Sequence, residues 1–294
     1  MNSAQSHLVA VDGGGSTCRV AVCAADGAVL ATATGRAANP ATSMPDAIAS
    51  LRATLDEART GAGLDAEALA AARAWLGLAG VINARIAEQV AGAMPMRNVR
   101  VTDDRPTNMA GALGSRDGFV AALGTGSFLG RQSGGTQAFI GGWGFWLGDQ
   151  ASGAWTGRAA LAAVLEWRDG LRPGSPLLET LFDAFGGDPG AIVQFANAAA
   201  PPDFAAQAPR VFDAADAGDA QAAAILRDGA GYLARGLDTL GFADGHPLCL
   251  IGGVGPRFAR HLPARYTANL IEPQGTALDG AIRLAAAMPA GADA

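Results

Sequence analysis

Two stretches of this chain share one plan, in which an apolar strand runs directly into a glycine-rich turn. In the first, HLVAV leads into VDGGGST (residues 11–17), and in the second the strand and turn read FVAALGTGS (residues 119–127). Glycine lets main-chain N–H groups approach a ligand with no Cβ in the way, and phosphate is the usual ligand of such a turn. A hairpin turn without a ligand is the alternative for either stretch alone. The recurrence favours a duplicated α/β unit whose two glycine turns bind a polyphosphate.

The pattern along the chain predicts strands and helices in an α/β order. Apolar runs and turn signals predict strands, and apolar positions at helical spacing, such as Ile48, Leu51 and Leu55, predict helices. In the first half the predicted strands are 7–12, 17–24, 28–34, 75–80 and 98–103, with helices around 48–55, 83–93 and 105–114. In the second half the predicted strands are 119–127, two more up to 140, 247–255 and 266–272, and the helices are 151–167, 175–186, 188–198, 203–217, 219–241, one from 256 and 276–288.

Composition excludes several functional classes. The chain has 294 residues, of which half are hydrophobic, so two lobes that share a cleft are expected. A net charge of −6 without a basic cluster argues against binding to nucleic acid or to an anionic membrane. All 21 basic residues are arginines, which excludes a Walker lysine and a catalytic Schiff base. Cys18, Cys23 and Cys249 fit buried residues of a reduced compartment, so a cytoplasmic location is expected.

Six motifs together resemble one family of ATPases. In order, they are VDGGGST, VTDDRPTNMAGAL, ALGTGS, GGWGFWLGDQASGAW, LIGGVG and PQGTALDGAIRLA. The set resembles the BadF/BadG/BcrA/BcrD ATPase group, within the sugar kinase, heat-shock chaperone and actin superfamily, and is most similar to its amino-sugar kinases. The resemblance implies an α/β fold with two ribonuclease-H-like, actin-like ATPase lobes and a nucleotide cleft between them. The lobes are expected at 1–113 and 114–275, with helix 276–288 packing on the first.

The resemblance also implies how ATP and Mg²⁺ are bound. Glycines and hydroxyls of three turns would contact the nucleotide, and Asp12 would organise Mg²⁺, through water, because Mg²⁺ keeps much of its hydration shell. The alternative for Asp12 is a side chain that stabilises the turn, and the alternative for the LIGGVG turn is a helix start. The implied ATP-binding residues are Gly13, Gly14, Gly15, Ser16, Thr17, Gly124, Thr125, Gly126, Ser127, Gly252, Gly253 and Gly255.

Asp104 is the candidate general base that the resemblance implies. A sugar kinase must accept a proton from the attacking hydroxyl, and a carboxylate at the end of a strand is placed to do so. In the family, an aspartate is followed seven residues later by Gly-Ala, which corresponds here to Asp104 and Gly111. Asp103 is the second choice for the base. The alternative is that Asp104 caps the helix that begins with Arg105 and Pro106.

Asn39, Asp104, Trp143, Gly144 and Asp149 match positions that contact the sugar in the resembled kinases. Amide and carboxylate groups bind vicinal hydroxyls, and an indole can lie against a pyranose. Asn39 could instead be a turn residue, and Trp143 could pack in the core or between the lobes. Arginines 19, 36 and 172 could touch phosphate or sugar, although solvated surface positions are expected for them. His7, His246 and His261 have no spacing that suits a metal site or a catalytic dyad.

The expected function is ATP-dependent phosphorylation of glucosamine at its 6-hydroxyl, by a homodimer. The segments GDQASG and DGLRPGSPL are more similar to glucosamine kinases than to N-acetylglucosamine kinases, which remain the alternative. An ATPase that activates acyl-CoA dehydratases needs cysteines for an iron–sulfur cluster, and the three here are scattered. A sensor that binds nucleotide or sugar without catalysis is the non-enzymatic alternative. A dinucleotide-binding Rossmann domain is disfavoured because GGGSTC leads into a strand.

Overall fold

The structure is a computed structural model that describes residues 7–289, and these residues form two β-sheets covered by helices. The strands are β1 (Leu8–Gly13), β2 (Thr17–Cys23), β3 (Val29–Arg36), β4 (Arg73–Leu78), β5 (Asn98–Thr102), β6 (Gly118–Leu123), β7 (Ser127–Ser133), β8 (Thr136–Gly141) and β9 (Leu248–Ile251). The α/β fold with two sheets that the sequence predicts is therefore confirmed.

The helices of the described part fall between and after these strands. They are α1 (Met44–Gly61), α2 (Ala66–Ala71), α3 (Ala84–Ala93), α4 (Arg105–Leu113), α5 (Gly153–Arg168), α6 (Pro176–Ala184), α7 (Pro189–Ala198), α8 (Pro201–Ala205), α9 (Ala208–Asp216), α10 (Ala220–Thr239), α11 (Gly255–Phe258), α12 (Ala264–Thr267) and α13 (Ala277–Ala287). A short 3₁₀ turn at Ala259–His261 follows α11.

The chain divides into two compact units, which we call unit 1 and unit 2. Unit 1 contains the described residues up to Arg116 and those from Pro273 onward, and unit 2 runs from Asp117 to Glu272. The strand order is β3-β2-β1-β4-β5 in unit 1 and β8-β7-β6-β9 in unit 2. In unit 1, β1, β2 and β3 pair antiparallel in chain order, and β4 pairs parallel with β1. In unit 2, β6, β7 and β8 pair antiparallel in the same way, and β9 pairs parallel with β6. The second sheet therefore repeats four strands of the first.

The sheet of unit 1 is covered on both faces. Leu51 of α1, Leu69 of α2 and Val90 of α3 belong to the buried cluster on one face. Ala281 and Ala285 of α13 lie in the cluster on the other face, where α13 also packs against α4. Because β1, β4 and β5 are parallel, their carboxyl ends lie at one edge of the sheet. This edge carries the glycine turn after β1 and the acidic pair after β5.

The core of unit 2 forms between its sheet and several long helices. Leu161 of α5, Leu178 of α6, Phe212 of α9 and Leu233 of α10 are buried in one cluster with Leu123 of β6. The glycine turn 124–126 follows β6 directly, at the end of the strand that β9 parallels. The core therefore fixes the turn at the edge of the second sheet.

Two predicted elements are wrong in detail, and one helix is missing from the prediction. Residues 266–272 do not form a strand: α12 occupies 264–267, and only Leu270 forms an isolated bridge, with Leu248. The helix predicted at 203–217 is two helices, because Pro209 lacks an N–H group and occupies the first turn of α9. Helix α2 was not predicted, although Asp65 caps it by accepting a hydrogen bond from the N–H of Ala68.

The cysteines are buried within the described part. Cys18 and Cys23 belong to clusters on opposite faces of the first sheet, and burial raises the pKa of the Cys18 thiol to about 12 and that of Cys23 to about 11. Such thiols are poor metal ligands and nucleophiles at neutral pH. Within residues 7–289, the helices are all too short or too polar to cross a bilayer.

Candidate active site

The first glycine turn is a β-hairpin turn that leaves main-chain donors available. The N–H of Gly14 donates to the carbonyl of Thr17 at 2.8 Å, and a Cβ on Gly13 would overlap Leu78 of β4. Gly15, Ser16 and Thr17 are exposed. Among residues 7–289, no acceptor is found for the N–H groups of Gly15 and Ser16. The hairpin interpretation is thus correct as geometry, and the same geometry offers two N–H groups to an anion.

Asp12 is the last but one residue of β1, directly before this turn. It lies opposite Arg19 of β2, whose Nη1 is 3.5 Å from Asp12 Oδ2. Burial raises the pKa of Asp12, and the charge of Arg19 opposes that rise. Arg19 lies at the surface, as expected, with its side chain 53% exposed, and it also pairs with Asp12.

Asp104 occupies the N-cap position of α4 without acting as a cap. Asp65 and Asn83, at the corresponding positions of α2 and α3, have extended backbones, and their side chains accept an N–H of their own helices. Asp104 instead has φ −76° and ψ −9°, with no side-chain cap hydrogen bond. A capping carboxylate would be occupied by its helix. The carboxylate of Asp104 is therefore available for other chemistry, which disfavours the capping interpretation.

Asp103, and not Asp104, accepts a main-chain N–H at the start of α4. Its carboxylate accepts the main-chain N–H of Arg105 at 2.9 Å, Nε at 2.8 Å and Nη2 at 3.0 Å. Such a two-point pair between guanidinium and carboxylate is strong and directional. Since Asp103 is held by Arg105, it is a poor candidate for the general base, and the first choice, Asp104, stands as the better one.

The pKa of Asp104 is raised to about 6. Burial is the main cause, and the negative charges of Asp103 and, to a smaller extent, Asp12 add to it. A hydrogen bond from the main-chain N–H of Asp104 itself and the charge of Arg105 oppose the rise. A general base works best when its pKa lies near the working pH. A strongly shifted carboxyl at a sheet edge, beside a glycine turn, is typical of an active site.

Asn39 is a turn residue that also lines a cavity. Its Oδ1 accepts the N–H groups of Ala41 at 2.9 Å and Thr42 at 3.3 Å, so the turn interpretation is correct for the oxygen. A Cβ on Gly80 would overlap the same oxygen. Asn39 lines a cavity of about 400 Å³ together with Gly15, Arg36 and Asp46. The cavity connects the first glycine turn with the residue expected to contact the sugar.

In unit 2, the turn at residues 124–127 is packed against Asp149. The N–H of Gly124 donates to the carbonyl of Gly126 at 2.9 Å, and Ser127 Oγ donates to the carbonyl of Gln150 at 2.7 Å. No acceptor in the described part of the chain is found for the N–H groups of Thr125 and Gly126. The turn therefore resembles the first one in exposing main-chain donors.

Asp149 has a backbone conformation that is uncommon for residues other than glycine. Asp149 (φ 58°) and Ala151 (φ 66°) are the non-glycine residues with positive φ among residues 7–289. Each costs free energy, and such residues cluster at functional sites. Asp149 is buried, and burial raises its pKa, while the N–H groups of Ser127 and Gly144 oppose the rise. The segment is thus held in a strained form that aims a buried carboxylate at one place.

Trp143 is not a core residue. Its side chain is 76% exposed, and Gly144 after it has φ 84°. Phe145 anchors this loop: it is buried, its ring lies 5.0 Å from that of Phe204, and the Arg158 guanidinium lies 4.9 Å from its centre. The core alternative for Trp143 is therefore wrong, and the loop leaves the indole exposed.

The glycines of the LIGGVG turn are needed mainly for packing. A Cβ on Gly252 (φ 85°) would contact the carbonyl of Leu123 and lie 2.9 Å from the N of Gly124, so this turn packs on the second glycine turn. Gly255 begins α11, as the helix-start interpretation predicts. Of the three glycines in this turn, Gly253 is the one with open space where a Cβ would lie.

Arg172, expected at the solvated surface, is partly exposed and forms two side-chain contacts. Its Nη2 lies 2.7 Å from Glu166 Oε2, and its Nη1 donates to Gln221 Oε1 at 2.9 Å. Through these two contacts Arg172 links the end of α5 to the start of α10.

Within residues 7–289, no group of three or more His, Cys, Asp or Glu side chains could hold a metal ion. The carboxylate of Asp12 beside the glycine turn is still a suitable donor for Mg²⁺, which keeps several waters and takes one or two carboxylates together with phosphate oxygens. The donor set therefore fits a Mg²⁺ ion that arrives with a phosphate ligand and does not fit a resident metal.

Sequence reasoning missed the pairing of Asp103 with Arg105 and the hydrogen bond from Thr107 to the main chain of Asp104. Thr107 is completely buried, and its Oγ1 donates to the carbonyl of Asp104 at 2.8 Å. The available signal was an acidic residue two positions before an arginine at a helix start, where side chains fold back on the main chain.

Comparison with known proteins finds similar sequences over nearly the whole chain. The model of the BadF/BadG/BcrA/BcrD ATPase family matches residues 9–259. The glucosamine kinase GspK of Vibrio cholerae is 28% identical over 287 residues, which cover 95% of this chain and 96% of that protein.

Solved structures show the same fold. A protein of Chromobacterium violaceum, provisionally assigned as an N-acetylglucosamine kinase, is 34% identical with a TM-score of 0.87, covering 96% of this chain and 99% of that one. A ROK family glucokinase of Streptomyces griseus shares the fold at 19% identity, with a TM-score of 0.59 and coverage of 95% and 98%.

Proposed function

Because the chain belongs to the BadF/BadG/BcrA/BcrD ATPase family, we propose that it is an amino-sugar kinase that transfers the γ-phosphoryl group of ATP to the 6-hydroxyl of glucosamine. The observation that carries the proposal is the release of Asp104 from capping, with its pKa raised to about 6 at the edge that also holds the first glycine turn. The similarity to a glucosamine kinase over nearly the whole chain supports the choice of substrate.

In this proposal Asp104 accepts the proton of the 6-hydroxyl as its oxygen attacks the γ-phosphorus of ATP, and ADP leaves. Proton removal by a positioned carboxylate contributes roughly two to four orders of magnitude to the rate. The N–H groups of Gly15 and Ser16 donate to phosphate oxygens, and those of Thr125 and Gly126 provide a second set of donors. These groups replace the lysine of a Walker motif, which this chain lacks.

Asp12 would hold Mg²⁺ through water. The ion, when bound with the nucleotide, neutralises negative charge on the phosphate oxygens. The resemblance supports Asn39, Trp143, Gly144 and Asp149 as the residues that bind the sugar. The buried carboxylate of Asp149 offers two acceptors for sugar hydroxyls, and Trp143 offers an apolar face.

N-acetylglucosamine is the second candidate acceptor, because the similar Chromobacterium violaceum structure carries that provisional assignment. Both sugars would use the same base and phosphate-binding turns. We expect the free amine to be preferred, since the segment GDQAS (148–152) resembles that of glucosamine kinases.

The test is an ADP-release assay with Mg²⁺, ATP and either glucosamine or N-acetylglucosamine, with the position of the phosphate read by NMR of the product. The proposal expects a larger kcat/KM for glucosamine and a phosphate on oxygen 6. A larger kcat/KM for N-acetylglucosamine supports the second candidate. ADP release that depends on neither sugar contradicts both.

A further inference from the structure

The carbonyl oxygen of Asp104 accepts an unusual number of hydrogen bonds. Thr107 Oγ1 and Asn108 Nδ2 each donate to it at 2.8 Å, and the main-chain N–H of Asn108 donates at 3.1 Å. Together they fix the peptide plane that follows Asp104, and thereby the backbone angle ψ of −9° that keeps its side chain away from the helix. The direction of the carboxylate therefore depends on this carbonyl.

Thr107 itself has no room to move. A Cβ on Gly77 of β4 would overlap Thr107 Oγ1 and Cγ2, and a Cβ on Gly280 of α13 would overlap the carbonyl of Thr107. The side chain is thus pressed against strand β4 on one side, and its main chain is pressed against helix α13 on the other. Glycines at both contacts allow this close approach. The hydroxyl that reaches Asp104 is fixed by the two elements that cover α4.

The far end of α4 is held in a similar way. Gln274 donates from its main-chain N to the carbonyl of Ala112 at 3.0 Å, and Arg283 Nη1 donates to that of Ala110 at 2.8 Å. A Cβ on Gly111 would overlap the carbonyl of Thr276. Because both ends of α4 are fixed, a shift at Asp104 must come from its own first turn, which contains Thr107.

We propose that Thr107 is a positioning residue for phosphoryl transfer: its buried hydroxyl, packed against Gly77 while its main chain packs against Gly280, holds the carbonyl of Asp104 so that the carboxylate faces the acceptor hydroxyl. This inference rests on the proposed role of Asp104 as the base. Thr107 touches neither substrate in this account. It acts through the direction of Asp104 alone, so it affects turnover and leaves substrate binding unchanged.

The test compares Thr107→Val with Thr107→Ser. Valine keeps the shape but places a methyl group where the hydroxyl lay 2.8 Å from the carbonyl oxygen, and carbon needs about 3.3 Å or more. The displaced carbonyl turns Asp104, and a misplacement of under 1 Å can lower turnover by up to about a hundredfold. Serine keeps the donor. We expect Thr107→Val to lower kcat about tenfold with KM for both substrates unchanged, and Thr107→Ser to stay within about threefold of wild type.

Thr54 provides a matched control. It is also a buried helix threonine, its Oγ1 donates to the carbonyl of Ser50 at 2.7 Å, and a Cβ on Gly35 would overlap that hydroxyl. Thr54→Val makes the same chemical change in the same unit, away from Asp104. It should therefore alter thermal stability much as Thr107→Val does while leaving kcat at the wild-type value.

The outcomes separate this inference from the proposed base. If Asp104→Asn is inactive but Thr107→Val keeps the wild-type kcat, the positioning role of Thr107 is overturned and the role of Asp104 as the base is not. A fully active Asp104→Asn enzyme overturns the base and the inference with it. An equal loss of kcat in Thr54→Val also overturns the inference. If Thr107→Val does not fold, Thr107→Ala removes the donor without the methyl clash, and kcat of Thr107→Ala equal to that of Thr107→Ser overturns the inference.

Discussion

The carboxylate of Asp103 accepts three N–H groups of Arg105, from Nε at 2.8 Å, the main chain at 2.9 Å and Nη2 at 3.0 Å. Two adjacent acidic residues thereby have different roles: Asp103 pairs with Arg105, and Asp104 remains available. The charge of Asp103 nevertheless helps to raise the pKa of Asp104 to about 6.

The first prediction concerns the acid limb of the activity profile. As a base, Asp104 must be ionised, so kcat/KM should fall as the pH drops through about 6. Asp103→Asn removes a negative neighbour, which favours the ionised form of Asp104. The midpoint of the acid limb should therefore move to lower pH. A midpoint that stays fixed or rises in this variant would show that another group controls the limb.

A second prediction concerns stability. The folded-state pKa of Asp104 lies above that of an unfolded aspartate, so its ionised form weakens folding at neutral pH. Protonation of Asp104 therefore stabilises the folded state. This stabilisation is fully present below about pH 4 and is lost as the pH rises through about 6. Asp104→Asn should thus raise the free energy of unfolding at pH 8 by about 1 to 3 kcal/mol.

The gain from Asp104→Asn should shrink as the pH is lowered from 8 to 5, because wild-type Asp104 becomes protonated in the folded state. Urea denaturation of both proteins at pH 8 and pH 5 measures the difference in their free energies of unfolding. A variant that is less stable than wild type at pH 8 would mean that the carboxylate makes a stabilising contact instead.

A third prediction concerns the turn of unit 2. A Cβ on Gly126 would lie 2.8 Å from Asp149 Oδ2. Gly126→Ala should displace this carboxylate and raise KM for glucosamine about tenfold or more, since a hydrogen bond to a charged group contributes about 1.5–3 kcal/mol. Gly92→Ala in α3 is the control, because no atom lies within 4 Å of its Cβ position. An unchanged KM in Gly126→Ala would remove Asp149 from the sugar site.

A fourth prediction separates two aromatic neighbours. Trp143 is 76% exposed, whereas Phe145 is buried. Trp143→Ala should change the free energy of unfolding by less than about 0.5 kcal/mol and raise KM for the sugar. Phe145→Ala should cost about 3–5 kcal/mol of stability. Thermal melts and initial rates measure both variants, and a large stability loss in Trp143→Ala would return that residue to a packing role.

The sequence predicts the sheets well because its apolar strands and glycine turns are local signals. Where contacts across the chain decide the structure, it predicts less. Residues 266–272 alternate like a strand, but Tyr266 instead turns inward on α12, and its hydroxyl donates to Asp238. The split between α8 and α9 could have been predicted from Pro209, whose missing N–H limits it to a first helical turn.

The candidate site shows the same division. Asp104 before Arg105 and Pro106 fits a helix cap and a base equally well as a sequence. The pairing of Asp103 with Arg105 has a local signal, an acidic residue two positions before an arginine, but the backbone angle that leaves Asp104 uncapped has none. The positive φ of Asp149 likewise depends on packing against Gly126 and Ser127, so the sequence could name this carboxylate but could not show its strain.

The central claim is that Asp104 removes the proton from the sugar hydroxyl during phosphoryl transfer. The direct measurement is the kcat of Asp104→Asn with saturating ATP, Mg²⁺ and glucosamine, together with the binding of both substrates by calorimetry. The account predicts affinities close to wild type and a kcat reduced at least about a hundredfold. A variant that binds both substrates and keeps more than about a tenth of the wild-type kcat would contradict it.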